Sequence, residues 1–297
     1  MKRIPYALVD VFAPAPGAGN RVAVVLDARG MSPEEMQAVA QSLGAAEAAF
    51  LLERTGAALS VRFFAPGGEV EFSGHAAVAV GLTAARTGLV PEGTTRLYLH
   101  TPTEVLPVEL VLEAGEPRKA WVRGPAPRFR DLPPYRALRE VLEALGSDER
   151  YLHRGLPYGV AFTGLWSLFV PLIAPGVVDA LEPEMERLKA LCFRLDVATV
   201  HAYAPMGPRR FYARDFAPRL GIPEDPVTGS ANAALGALLA RAGVVPRREG
   251  KVLLTVYQGH HLGNPGVVEV QVEYSPTGEP YSVQIGGEAV IVQTGEV

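Results

Sequence analysis

The chain has little sulfur chemistry available to it, because only one of its 297 residues is a cysteine, Cys192. A single thiol cannot close an internal disulfide, and it cannot build a metal centre that needs several cysteines. The histidines do not compensate, because outside His75 they show no metal-ligand spacing. They are His100, His153, His201, His260 and His261. The sequence therefore predicts no metal ion.

The sequence also lacks an excess of positive charge and any long apolar run. Its formal net charge is −4, which argues against binding to nucleic acid or to a membrane surface. No apolar run reaches the roughly 20 residues that span a bilayer. The apolar stretch near the N-terminus ends at Asp10, which is too short for a signal peptide. We therefore expect a cytoplasmic protein whose partner is a small molecule.

Motifs for nucleotides and for serine hydrolysis are missing as well. There is no P-loop, and Gly17-Ala-Gly19 is followed by Val22 where a dinucleotide fingerprint needs its third glycine. Ser230 is not followed two residues later by the glycine of a nucleophile elbow. The sequence predicts no cofactor.

What the chain does contain is an internal repeat. Residues 73–91 and 228–246 align without a gap and share glycine, arginine and proline at matching positions. The matches include Gly74/Gly229, Gly81/Gly236, Arg86/Arg241, Gly88/Gly243 and Pro91/Pro246. A period of roughly 150 residues is too long for a solenoid and fits two copies of one domain-sized unit.

Both copies contain a segment, 74–86 and 229–241, that is apolar on every side. Such a helix is buried, and a strongly curved sheet can surround it. We predict an α/β (α+β) fold of two similar halves, each a mostly antiparallel curved sheet wrapped around a central helix. The predicted domains are residues 1–124, joined by a C-terminal strand at about 286–297, and residues 125–285.

Several local elements follow from the same pattern. Ser32-Pro33 predicts a capped helix that runs through Ser42. Residues 281–285 and 289–293 are predicted as two separate strands, and the residues leading to Asp225 as a loop.

The two copies differ in their polar residues, since His75 matches Ser230. Each central helix begins with Gly74 or Gly229, and free N–H groups at a helix N-terminus favour an anion. Two such termini facing each other would hold a substrate carboxylate.

Two carboxylates are candidates for chemistry. Glu47, among small apolar residues, is either an exposed loop residue or a partly desolvated acid suited to proton transfer. Asp225 is either a turn or capping residue or an acid that contacts the substrate. His75 at a helix N-terminus is favoured as a neutral ring that donates to a carboxylate or passes on a proton.

The motifs together resemble the PhzF family of phenazine-biosynthesis-like isomerases. The resemblance rests on Asp10-Val-Phe with Gly19-Asn20, on Glu47 before a strand, on Gly74-His75-Ala, and on residues 224–231, Glu-Asp-Pro-Val-Thr-Gly-Ser-Ala. It covers nearly the whole chain and implies the fold of diaminopimelate epimerase.

The resemblance also implies roles and an activity. Glu47 would be the acid/base of a cofactor-independent isomerase similar to trans-2,3-dihydro-3-hydroxyanthranilate isomerase, with His75 and Asp225 as further catalytic residues. The substrate, a small carboxylate, would contact His75 and Asp225, and the chain would form a homodimer. The other implied substrate contacts are Asn20, Gly74, Gly229 and Ser230.

The sequence departs from the family pattern at Arg21, where proline is more usual, and in the alanines around Glu47. Epimerases of the same fold use two cysteines, which this chain cannot supply. Two alternatives remain: an epimerase or racemase with Glu47 and Asp225 as paired bases, and a non-enzymatic binding protein.

Overall fold

A computed structural model describes residues 3–297. Residues 1 and 2 belong to the N-terminal stretch that the sequence predicts is too short for a signal peptide, and they lie outside the described residues. The chain folds into two compact units. The first unit contains the described residues through Arg123 together with Gly286–Val297, and the second unit contains Gly124–Ile285. In the described part of the chain, no helix is long and apolar enough to cross a membrane.

The first unit is a sheet around one helix. Its helices are α1 (Pro33–Ser42) and α2 (Gly74–Arg86). Its strands are β1 (Pro5–Val11), β2 (Asn20–Val25), β3 (Glu47–Thr55), β4 (Ala58–Ala65), β5 (Gly68–Val70), β6 (Arg96–His100), β7 (Val105–Glu113) and β8 (Glu116–Arg123).

These strands pair mostly in antiparallel fashion. The antiparallel pairs are β1–β2, β3–β4, β4–β5, β6–β7 and β7–β8, while β2–β3 and β4–β6 are parallel. The last strand of the chain, β17 (Pro280–Glu296), pairs antiparallel with β1 through its C-terminal part and also pairs with β8. The sheet therefore closes on itself around α2, which contacts β1, β2, β3, β7 and β8.

The second unit has more helices. They are α3 (Tyr135–Ala144), α4 (Pro175–Asp179), α5 (Met185–Arg194) and α6 (Gly229–Arg241). Its strands are β9 (Arg128–Phe129), β10 (Gly159–Phe162), β11 (Trp166–Pro171), β12 (Thr199–Gly207), β13 (Arg210–Ala217), β14 (Ile222–Asp225), β15 (Lys251–Gln258), β16 (Gly266–Tyr274) and the first part of β17. An apolar core packs α3, α4 and α5 against β10 to β13.

The second unit repeats the pairing sequence of the first. Strands β11–β12 are parallel, β12–β13 and β13–β14 antiparallel, β13–β15 parallel and β15–β16 antiparallel. Helices α2 and α6 have the limits predicted for the repeat, and almost all of their residues are buried. The predicted fold class is confirmed: each unit is a mostly antiparallel sheet around an apolar helix.

The repeat extends to a close approach between helix and sheet in each unit. A Cβ built on Gly81 of α2 would stand 2.6 Å from Cγ1 of Val108, and one on Gly236 of α6 would stand 2.6 Å from Cγ1 of Val270. Real Cβ atoms do not approach that closely. Glycine at this position therefore lets the helix backbone lie directly against the sheet in both units.

Three local predictions were incomplete or wrong. Residues 281–285 and 289–293 are parts of the single strand β17. The residues before Asp225 form the short strand β14 and are not a loop. Strands β9, β10 and β11 were not predicted. The helix after Ser32 is confirmed, with Ser32 and Glu35 forming a reciprocal capping box.

Candidate active site

Glu47 is the first residue of β3, one residue earlier than the predicted strand start, and lies opposite Val22 of β2. Strands β2 and β3 are parallel here, so α1 and the turn at Gly44 connect them. The residues on either side are alanines, and Ala48 and Ala49 are fully buried. Because the Glu47 side chain is only 20% exposed, it is not an exposed loop carboxylate.

His75 lies beside Glu47 in the first unit. It is the second residue of α2, whose N-terminus is capped by the Ser73 hydroxyl accepting a hydrogen bond from the Ala76 N–H. The His75 Nε2 and Glu47 Oε2 atoms are 3.6 Å apart. Both atoms are buried, and within the described residues neither has a hydrogen-bond partner.

The surroundings of this pair suit a proton-transfer site. A carboxylate and an imidazole, both titratable groups, lie next to each other, largely shielded from water, with polar atoms that the rest of the described chain leaves unpaired. The N-terminus of α2 favours a negative charge close to it. The carboxylate and the imidazole are therefore placed so that a third group, such as a substrate, can complete their hydrogen bonding.

Asn20 begins β2 and is buried in the same unit. The loop before it is fixed by the buried carboxylate of Asp10. That carboxylate accepts hydrogen bonds from the Gly17 N–H at 2.7 Å and from the Arg21 Nε at 2.8 Å. The bonds to Asp10 raise the pKa of Arg21, so its charge is secure. Arg21, the departure from the family pattern, thus holds the loop that carries Asn20.

Asp225, Gly229 and Ser230 lie together in the second unit. Asp225 ends β14, and its Oδ2 accepts a hydrogen bond of 2.6 Å from the Thr228 hydroxyl. Gly229 and Ser230 are the first two residues of α6. The Ser230 carbonyl accepts a hydrogen bond of 2.7 Å from the hydroxyl of Thr163, which ties the helix start to the turn after β10.

A buried arginine fixes the strand that ends in Asp225. The Arg214 guanidinium forms two hydrogen bonds to Glu224, at 2.9 and 2.8 Å, and another to the Leu181 carbonyl. Both charged side chains are almost fully buried. A paired guanidinium and carboxylate of this geometry hold their backbone segments rigidly.

Gln258 belongs to the hydrogen-bond network around Asp225, and it was not predicted from the sequence. It is fully buried at the end of β15 and hydrogen-bonds to Asp225, Thr228 and Asn232. The sequence pattern could have pointed to Gln258. It continues the alternation of Val252, Leu254 and Val256, which face the buried side of the strand. A polar side chain in a buried position needs hydrogen-bond partners.

Cys192 is not among the residues of either group. It lies in α5 and is fully buried in the apolar core of the second unit. Burial, with the nearby Asp215 charge, raises the pKa of its thiol to about 11. Among the described residues, no three histidine, cysteine or acidic side chains are grouped as metal ligands.

Comparison with known proteins identifies the family. Residues 9–295 match the family of phenazine biosynthesis-like proteins, PhzC-PhzF. The chain belongs to this family.

Its relatives cover nearly all of its length. It is 46% identical to an uncharacterized isomerase of Deinococcus radiodurans, over 98% of this chain and 93% of that protein. It is 31% identical to trans-2,3-dihydro-3-hydroxyanthranilate isomerase of Pseudomonas fluorescens, over 98% of each chain. A PhzF-family crystal structure from Bacillus anthracis has a TM-score of 0.89 and 29% identity, over 100% of this chain and 99% of that one. This member of the PhzF family is an isomerase.

Proposed function

We propose that this PhzF-family isomerase moves a proton between two carbon atoms of a small carboxylic acid, and that it needs no cofactor. The observation that carries the proposal is the buried contact of 3.6 Å between Glu47 Oε2 and His75 Nε2. The name of the Pseudomonas fluorescens relative supplies the substrate to test first, trans-2,3-dihydro-3-hydroxyanthranilate.

In the proposed step the Glu47 carboxylate removes a proton from one carbon of the substrate. The electron pair of that C–H bond shifts the neighbouring double bond, and Glu47, now neutral, returns a proton to a different carbon. One C–H bond breaks and another forms, so no electron is gained or lost. A single acid/base is sufficient for this sequence, and His75 either hydrogen-bonds the carboxyl group or relays its proton.

The remaining predicted site residues belong to the same proposal. In the first unit, N–H groups at the start of α2, from Gly74 onward, favour a substrate carboxylate, and Asn20 is a further proposed contact. In the second unit, Asp225, Gly229 and Ser230 are proposed substrate contacts, as the sequence predicts. A homodimer and a cytoplasmic location stay predictions of the sequence.

The first prediction concerns Glu47→Gln. The amide keeps the size of the side chain but cannot accept and return a proton, so turnover should fall by at least about 100-fold, as expected for a positioned acid/base. Binding should change little. The measurements are turnover of trans-2,3-dihydro-3-hydroxyanthranilate in D₂O, deuterium position in the product, and affinity. The matched control is Glu53→Gln, which changes an exposed carboxylate on the same strand.

The outcomes separate the candidate functions. Glu47→Gln activity within a few-fold of the unmodified chain would overturn the role of Glu47. Deuterium at a stereocentre without migration of the double bond would identify an epimerase. Stabilisation of the chain by the compound, with neither turnover nor exchange, would identify a binding protein.

A further inference from the structure

The two matching helix starts use their hydroxyl groups differently. Ser73, at the start of α2, caps its own helix by accepting from the Ala76 N–H at 3.2 Å. Thr228 occupies the matching position of α6 and makes no side-chain cap. Its hydroxyl instead donates to Asp225 Oδ2 at 2.6 Å. In the second unit the helix start therefore lacks a side-chain cap, and the Thr228 hydroxyl donates to the Asp225 carboxylate instead.

A single buried amide holds this arrangement. The Nε2 of Gln258 donates to the Asp225 carbonyl at 2.9 Å and to the Thr228 hydroxyl at 3.1 Å. Its Oε1 accepts from the Thr228 N–H at 3.1 Å and from Asn232 Nδ2 at 2.7 Å. These four bonds use both donors and both lone pairs of the amide. The orientation of the amide is fixed, because its oxygen faces a backbone N–H that can only donate.

The fixed amide also determines where the hydroxyl proton of Thr228 points. An amide nitrogen can only donate, so the Thr228 oxygen is the acceptor in its contact with Gln258. Its own proton is then directed to Asp225, whose Oδ2 is an acceptor. A hydrogen bond donated to a carboxylate stabilises its charged form. The chain from Gln258 through Thr228 to Asp225 therefore favours an ionised, oriented Asp225.

We infer that Thr228 and Gln258 are positioning residues that keep the Asp225 carboxylate anionic and aimed for substrate contact. This inference rests on the proposed function for the meaning of that contact. It implies that Asp225 stays charged throughout the reaction.

The first test measures the Asp225 carboxyl directly and needs no substrate. The chain is labelled with [4-¹³C]aspartate, the Asp225 signal is assigned with Asp225→Asn, and its carboxyl titration is followed by NMR. Thr228→Val removes the hydroxyl, so the titration midpoint should move up by about one pH unit. Thr228→Ser keeps the hydroxyl and should leave the midpoint in place. Ser73→Ala, which removes the matching hydroxyl of the first unit, should also leave it in place.

Gln258→Glu tests the next link. A carboxylate at position 258 cannot donate to the Thr228 oxygen and would attract the hydroxyl proton away from Asp225. The midpoint should then rise as in Thr228→Val. If Thr228→Val does not fold, Thr228→Ala removes the same hydroxyl without adding a methyl group at its place, and carries the same comparison.

The second test uses kinetics with trans-2,3-dihydro-3-hydroxyanthranilate. Thr228→Val should lower kcat/KM about tenfold, the scale of one hydrogen bond to a charged group. Thr228→Ser should restore it. Because Thr228 acts through Asp225, Thr228→Val should have little further effect in an Asp225→Asn background. A purely structural threonine would lower kcat/KM equally in both backgrounds.

Failures of the two proposals are distinguishable. An unchanged Asp225 midpoint in Thr228→Val, or an equal rise in Thr228→Ser, would overturn the positioning roles even if the unmodified chain is an active isomerase. Absence of turnover in the unmodified chain would overturn the proposed substrate, while the titration would still decide the roles of Thr228 and Gln258.

Discussion

At the scale of residues, Glu47 and Cys192 show how surroundings decide whether an ionisable group can do chemistry. Glu47 is 20% exposed and lies 3.6 Å from the imidazole of His75. Cys192 is enclosed by apolar side chains of α5 and the sheet. A thiol acts as a base or nucleophile only as thiolate. Geometry thus supports acid/base chemistry at Glu47 and argues against it at Cys192.

The second prediction concerns that thiol. With its pKa raised to about 11, only about one Cys192 in a thousand is ionised at pH 8. The folded chain should not react with a thiol-specific disulfide reagent at that pH, and should react with one equivalent after unfolding in guanidinium. Cys192→Ala should leave turnover within a few-fold of the unmodified chain. Rapid labelling of the folded chain would contradict the buried placement.

The same shift gives a dependence of stability on pH. The folded-state pKa of Cys192 is raised, so its contribution to stability is fully present below the unfolded-state value of about 8.5. It is lost as the pH rises through about 11. Cys192→Ala removes this ionisable group, so the free energy of unfolding of the variant should fall less than that of the unmodified chain as the pH rises toward 11.

At the scale of elements, the two units of the repeat pack their central helices against their sheets in the same way. A Cβ added to Gly81 or Gly236 would come equally close to a methyl group of Val108 or Val270, at 2.6 Å. Both valines are fully buried, and their branched side chains have little freedom to move aside. The glycine shared by the two sequence repeats is therefore explained by packing and not by a turn.

The third prediction follows from this packing. Gly81→Ala and Gly236→Ala should each lower the free energy of unfolding by about 1 kcal/mol or more, because overpacking of a core typically costs 1–3 kcal/mol and exceeds the gain in helix propensity. The control is Gly176→Ala in α4, where a Cβ would meet nothing within 4 Å. Urea denaturation measures all three. A stabilised Gly81→Ala variant would show that the sheet yields to the added methyl group.

At the scale of the whole molecule, the repeat allowed the two central helices to be predicted to the residue, because their composition has no polar face. The prediction failed at β17, where residues 281–285 and 289–293 were predicted as two strands and the structure has one, which continues through Gly286 and Gly287. A Cβ on Gly286 would stand 2.3 Å from the ring of Trp121. This glycine makes room for an aromatic ring within a continuous strand, and only the fold shows that contact.

For the candidate site, the sequence pointed to some of its residues and not to others. Glu47 and His75 were predicted because the repeat has different residues at the matching places, and their roles stay predictions. Gln258 was missed because its role depends on which loop a buried strand end meets, and that contact joins residues far apart in sequence. The sequence shows that serine at position 73 is matched by threonine at position 228. Only the directions of their hydrogen bonds show that the two hydroxyl groups serve different purposes.

The last strand connects the two units along the chain and underlies the fourth prediction. Residues 289–296 of β17 pair with β1, from Ala289 opposite Val11 to Glu296 opposite Pro5. Arg86, near the end of α2, donates a hydrogen bond to the Ala289 carbonyl. A chain ended after Ile285 would therefore leave one edge of β1 unpaired and remove an anchor of the central helix.

We expect this shortened chain to lose the fold of the first unit while residues 124–285 stay folded, as the predicted division into domains requires. Hydrogen exchange read by mass spectrometry should show fast exchange in β1, β2 and α2 and unchanged protection in α5 and α6. A peptide of residues 286–297 added in excess should restore protection to β1, because the strand edge it leaves open is a template for pairing. Loss of protection throughout both units would show that they fold as one, and would replace the predicted domains with a single cooperative unit.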